Sequence, residues 1–121
     1  MARSTRSILK INEKVKMDSG IKAYRDGFIS NPDRLAKFIE KFMQMFLDGK
    51  LDGVISAVEN YNSSETVRTS QVNPDLKFDF SIKAYEDGLI KNTRYVARLT
   101  EDILRDYLDG KLDKILKDDS L

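Results

Sequence analysis

The sequence predicts an α+β fold built from one unit written twice: two ββαα units, each with a short extra helix, sharing one core about a pseudo-two-fold axis. Three observations predict it. Residues 21–55 align with residues 82–116 at a single offset of 61 without a gap, and 16 of the 35 pairs are identical. Each copy holds a long segment whose apolar residues recur at spacings of three and four, the helical period. Ahead of each lie short stretches in which apolar and polar residues alternate, the strand period. At 121 residues the chain is about one domain long, so a half of that size is marginal alone and a shared core is expected.

Taken in order, 1–6 reads as a basic arm, 7–59 as the first repeat, 60–65 (Asn-Tyr-Asn-Ser-Ser-Glu) as a turn-rich linker and 66–121 as the second repeat. Ser-Ile-Leu-Lys-Ile and Lys-Val-Lys-Met around Asn12-Glu13 read as a β-hairpin. Val-Arg-Thr-Ser-Gln-Val and Leu-Lys-Phe-Asp-Phe around Asn73-Pro74-Asp75 read as its counterpart, because Leu76, Phe78 and Phe80 alternate with polar residues. The competing reading makes each half strand-then-helix, since Asn73-Pro74-Asp75 can also open a helix.

Asp18-Ser19 and Asp79/Ser81 are N-caps for helices expected to run to about Ile29 and Ile90. Asn31-Pro32-Asp33 and Asn92-Thr93 then stop one helix and start the next. The long helices, about 32–48 and 93–109, carry wide apolar arcs: Leu35, Phe38, Ile39, Phe42, Met43, Phe46 and Leu47, against Val96, Leu99, Ile103, Leu104, Tyr107 and Leu108. Thr100 and Asp106 stand where the first copy has Ile39 and Met45, so the first copy has extra apolar surface. Gly49 and Gly110 are placed to end these helices, and a short third helix is expected after each.

The chemistry available is narrow. With no histidine, cysteine or tryptophan, His-based acid–base catalysis, Ser-His-Asp and Cys-His nucleophiles and ordinary zinc or iron sites are excluded. No glycine pattern forms a phosphate loop. Carboxylate pairs such as Asp26/Asp87 and Asp48/Asp52 sit among lysines and read as solvated surface. Asp48 to Glu59 has the spacing of an EF-hand loop, but Lys50 occupies a position that needs a ligand oxygen, and a structural corner explains both copies better. A non-enzymatic protein with no cofactor and no metal is expected. No apolar run reaches the length that spans a bilayer and the first residues lack a secretory h-region, so no membrane and a cytoplasmic location are expected.

Net charge is +1 overall but +4 over residues 1–16. On the face of the first long helix opposite its apolar arc, Arg34, Lys37, Lys41 and Gln44 line up; the second copy has Arg94, Arg98 and Arg105 near the matching positions. Two cationic stripes and a basic arm form the electrostatic footprint of duplex binding. The candidate contacts are Arg3, Arg6, Lys10, Arg34, Lys37, Lys41, Arg94, Arg98 and Arg105.

Ala23-x-x-x-Gly27 and Ala84-x-x-x-Gly88, each leading through a polar cap into a second helix, resemble the small-residue pattern of helix-turn-helix DNA readers. Leu99-Thr-Glu-Asp-Ile-Leu-Arg-Asp-Tyr-Leu108 is similar to the second helix of ribbon-helix-helix repressors, which implies that strands read the DNA. The order of elements, with the hairpin candidates Ile8–Met17 and Val67–Phe80 and the two Ala-x-x-x-Gly units, resembles the TraN-like double-stranded-DNA-binding accessory proteins of Gram-positive conjugative plasmids. These resemblances imply duplex binding through paired copies near a transfer or regulatory site, by a monomer with internal pseudo-symmetry or a weak homodimer. The alternative is a protein-interaction module, such as a plasmid- or phage-encoded inhibitor or assembly factor, meeting its partner through an Ile39/Met45 face.

Overall fold

The computed structural model describes residues 7–58 and 67–119. The order is strand β1 (Ser7–Asn12), helix α1 (Glu13–Arg25), a 3-10 turn (Pro32–Arg34), helix α2 (Leu35–Leu47), strand β2 (Val67–Val72), helix α3 (Pro74–Glu86), a 3-10 turn (Thr93–Tyr95), helix α4 (Val96–Leu108) and helix α5 (Asp113–Asp119). The fold is mixed α+β and mostly helical. The expected arm and linker, 1–6 and 60–65, lie outside the described residues.

The strands pair with each other and not within their own halves. β1 and β2 form a two-stranded antiparallel ribbon in which Leu9 lies opposite Ser70, Ile8 opposite Gln71 and Lys10 opposite Thr69. Leu9 and Ile11 are buried with Ser70 and Val72, while Ile8, Lys10 and Gln71 face out, the alternation a ribbon lying on a core requires. The two expected hairpins are therefore corrected to one strand per half, and the strand-then-helix reading holds.

The physical reason is the asparagine that ends each strand. The Asn12 side chain accepts from the Val15 amide at 3.0 Å, and Asn73 accepts from the Asp75 and Leu76 amides at 2.9 and 3.0 Å. Each caps a helix that starts at once, with Pro74 at a first position that needs no N–H. Lys-Val-Lys-Met and Leu-Lys-Phe-Asp-Phe are thus helical. Phe80 is buried and Phe78 exposed, whereas a strand would have put both on one face. The caps expected at Asp18-Ser19 and Asp79/Ser81 fall inside α1 and α3. Those helices end at Arg25 and Glu86, short of Ile29 and Ile90, because the Phe28 and Leu89 amides turn back to the Ala23 and Ala84 carbonyls at 2.9 Å.

α2 and α4 end before Gly49 and Gly110 as expected. Among the described residues a third helix follows only in the second half. Gly53 takes a left-handed backbone, φ 76°, which breaks a helix there. Lys114, 61 positions later, continues α5. At Gly20 the restriction is different: α1 lies so close to the 3-10 turn that a Cβ would sit 2.7 Å from the Pro32 carbonyl oxygen.

Each first helix packs on the second helix of the other half, α1 on α4 and α3 on α2. The centre is aromatic: Phe38 meets Phe28, Phe42 and Tyr107 at ring-centroid distances of 5.2, 4.6 and 5.0 Å, and Phe46 meets Phe80 at 5.0 Å. Such pairs add about 0.5–1.5 kcal/mol each beyond their area. Two reciprocal clamps close the packing. The Lys22 ammonium lies 3.9 Å from the Tyr107 ring centroid and bonds Asp113 at 2.7 Å. The Lys83 ammonium lies 4.2 Å from the Phe46 ring centroid and bonds Asp52 at 2.9 Å. The Tyr107 hydroxyl donates to Asp26 at 2.7 Å; burial first, then that carboxylate, raise its pKa, so the phenol stays protonated.

Candidate nucleic-acid interface

The exposed face of the ribbon is small and chemically mixed: Ile8 and Gln71 as one cross-strand pair, with Lys10 two residues along β1. An antiparallel ribbon rises about 3.4 Å per residue, so Ile8 to Lys10 spans about two base pairs. Lysine and glutamine are donors suited to base edges, and an isoleucine can meet a thymine methyl.

Beside the ribbon, on the second half, runs a groove of about 710 Å³ between β1, α3 and the start of α4, whose lining includes Lys10, Lys77 and Arg94. The Lys77 ammonium donates to the Ile8 carbonyl at 2.9 Å and braces the strand; burial holds its pKa below the usual lysine value. Arg94 is exposed and its amide donates to the Asn92 side chain at 2.9 Å, so Asn92 acts as the expected cap.

The other sequence-predicted residues divide into groups. Arg34 and Lys37 are exposed at the start of α2 and Lys41 is half-buried one turn on, so the first stripe exists as a surface. Arg3 and Arg6 lie outside the described residues. Arg98 and Arg105 are engaged within α4: both reach Glu101, at 3.3 and 3.0 Å, and Arg98 also reaches Asp102 at 3.3 Å. The second stripe is therefore an ion-pair ladder, with Arg94 outside it.

Glu101 is the centre of that ladder. It is buried, and its other carboxylate oxygen accepts from the Asn12 amide across the halves at 2.7 Å. Glu40, 61 positions earlier, accepts from the Asn73 amide at 2.6 Å. These carboxylates fix the junction where each ribbon strand becomes a helix.

The apolar surplus expected to meet a protein partner lies inside: Ile39 and Met45 are 0% and 3% exposed and belong to the core. That expectation is corrected, because a face so buried has no area to offer. Among the described residues no group of His, Cys, Asp or Glu is placed to hold a metal ion, and no helix is long and apolar enough to cross a membrane. Asp52, part of the EF-hand-like spacing, instead bonds Lys83.

Sequence reasoning missed Ile8, Gln71 and Lys77. The signal for Ile8 was present in the alternation of Ile8 and Lys10 with Leu9 and Ile11. Comparison with known proteins gives no match: no family model, no curated protein and no solved structure matches this chain.

Proposed function

We propose that this chain is a non-enzymatic double-stranded-DNA-binding protein, a regulator or DNA-processing accessory factor acting in the cytoplasm, that lays its ribbon in the major groove. The observation that carries the reading is the antiparallel ribbon itself, whose outer face holds Ile8, Lys10 and Gln71 above a buried inner side of Leu9, Ile11, Ser70 and Val72. The major groove admits a two-stranded ribbon, and residues of these types read its edges. Arg94 on one flank, and Arg34 and Lys37 at the start of α2, are the phosphate contacts, which position the protein without reading sequence.

The same reading takes the fold as an internal duplication about a pseudo-two-fold axis. Its support is the recurrence of all four long-helix boundaries at an interval of 61 and the register in which Leu9 faces Ser70, positions 61 apart. The axis passes through that pair, and the ribbon presents Lys10 and Gln71 at equivalent positions to two similar half-sites. The resemblance of residues 99–108 to ribbon-helix-helix repressors points the same way. The ribbon replaces the helix of a helix-turn-helix pair as the reading element, because the ribbon offers exposed polar side chains and lies beside exposed cations.

The test is a salt series of binding to a random 30-base-pair duplex by fluorescence anisotropy. Micromolar affinity falling steeply between about 50 and 200 mM salt is expected. Arg94→Ala should lower the salt slope by about one counterion, and Arg34→Ala with Lys37→Ala by about two. Gln71→Ala should leave the slope unchanged and act only at a specific site. Absence of binding at 50 mM salt refutes the reading.

A further inference from the structure

Eight large apolar side chains are exposed among the described residues, and six of them form two matched sets. Met17, Ile21 and Tyr24 stand at i, i+4 and i+7 on α1; Phe78, Ile82 and Tyr85 stand at the positions 61 residues later on α3. At 3.6 residues per turn each set makes one stripe along its helix. All six are between 37% and 58% exposed, so each half carries an apolar seam outside the core. Scattered exposed apolar residues need no explanation, but contiguous ones mark a contact surface.

The flanks of the two stripes differ in charge. On the same side of each stripe, α1 carries exposed Lys14, Asp18 and Arg25, and α3 carries exposed Asp75, Asp79 and Glu86 at the equivalent positions. Two of the three pairs are therefore reversed in sign. Lys14 and Arg25 are eleven residues apart, as are Asp75 and Glu86, about 16 Å along a helix. With the helices antiparallel, the sense that brings this flank of both to one side of the seam, Lys14 can meet Glu86 and Arg25 can meet Asp75. Two α3 stripes brought together would oppose acid to acid.

We infer that the occupant of each stripe is a second copy of this chain, with α1 of one molecule docked on α3 of the next. A contact between two different patches is heterologous, so each molecule has two ends and association runs head to tail. Charge complementarity selects α1 on α3 over like pairs, and the apolar residues supply the attraction. The α3 stripe shares Phe78 and Ile82 with the groove beside the ribbon, but this inference does not depend on the DNA reading and its test contains no DNA, so either can fail alone.

Sedimentation velocity at 5–200 μM protein in 50 mM salt, a range of conditions set by the weak contacts expected of small patches, reads the result. The chain should grow beyond a dimer as concentration rises. Ile21→Glu and Ile82→Glu should each be monomeric alone, because each loses one of the two patches. An equimolar mixture should form a dimer and stop there, since one α1 and one α3 stripe remain intact between the two variants. A monomeric wild type at 200 μM overturns the inference. So does a mixture that stays monomeric, or an Ile82→Glu variant that dimerises alone, which would show α1 pairing with α1. Circular dichroism melts check that the variants are folded. Tyr24→Ser and Tyr85→Ser, at more exposed positions, repeat the experiment if the glutamates unfold the chain.

Discussion

Glu101→Ala tests how the two halves are joined. In the native protein the buried carboxylate accepts from the Asn12 amide at 2.7 Å and from Arg105 at 3.0 Å. Asn12 is itself buried, so water does not replace the lost acceptor, and a hydrogen bond to a charged group contributes about 1.5–3 kcal/mol. The partly exposed Arg105 contact adds a few tenths of a kcal/mol at most. Relief of Asp102 offsets part of the loss, since burial raises its pKa and the Glu101 charge raises it further against the pull of Arg98. The net expectation is a loss of about 1.5–3 kcal/mol, a fall in Tm of roughly 5–15 °C for a chain of this size. The matched variant Glu40→Ala removes a bond of similar length, 2.6 Å, at an exposed site, where water substitutes and about 1 kcal/mol is expected. Urea unfolding followed by circular dichroism gives both values. Equal losses, or a loss under 0.5 kcal/mol for Glu101→Ala, would refute the burial argument. Glu101→Gln, which keeps an acceptor oxygen without the charge, should fall between wild type and alanine.

Two further predictions follow from the packing. Gly20→Ala places a Cβ 2.7 Å from a backbone oxygen that cannot swing away, so α1 must shift, at a cost of about 1–3 kcal/mol; an unchanged urea midpoint would show that α1 does not approach Pro32 so closely. Burial disfavours the charged form of Lys22 and Lys83, but their hydrogen bonds and carboxylate neighbours outweigh it and raise both pKa values. A group whose folded pKa is raised stabilises the fold fully below the unfolded value, about 10.4, and loses that contribution as pH rises through the folded value. Stability should therefore drop above about pH 10.5, and the drop should shrink in the Lys22→Met, Lys83→Met double variant. A wild-type alkaline limb no steeper than that of the variant would sink the clamp argument.

Much of this architecture was legible in the chain. The wide apolar arcs of α2 and α4 needed only a period of three and four, and Leu35, Phe38, Phe42 and Val96, Leu99, Ile103 are all core. What misled was a coincidence of periods. Leu76, Phe78 and Phe80 alternate as strand residues do, but positions four apart also share a helix face, so Leu76 and Phe80 fit either. The local chemistry that decides is a single asparagine bonding amides two and three residues on. The candidate interface was harder to read, because a side chain's partners depend on what the other half brings to it. Arg98 and Arg105 looked like open cations from their helical spacing. Glu101 takes both because it is held in place by an amide 89 positions away. Nothing local to α4 announces that. The seams on α1 and α3 were written plainly at i, i+4 and i+7, and a search for one buried face per helix passes over a second, exposed one.

The ribbon has a consequence for how the chain comes to be folded. Ser7 pairs with Val72 and Asn12 with Val67, so the sheet closes only after nearly sixty residues have followed the first strand out of the ribosome. At synthesis rates of about 5–20 residues per second, β1 waits for seconds with an unpaired edge and the apolar Leu9 and Ile11 uncovered. Neither half can complete its core in that interval, because α1 needs α4 as much as β1 needs β2. An open strand edge accepts any complementary strand, including β2 of a neighbouring nascent or refolding chain. The outcome of that exchange has every contact of the native fold but is shared between two molecules. Dilution during refolding therefore favours the single-chain form, and crowding on a polysome favours the entwined pair.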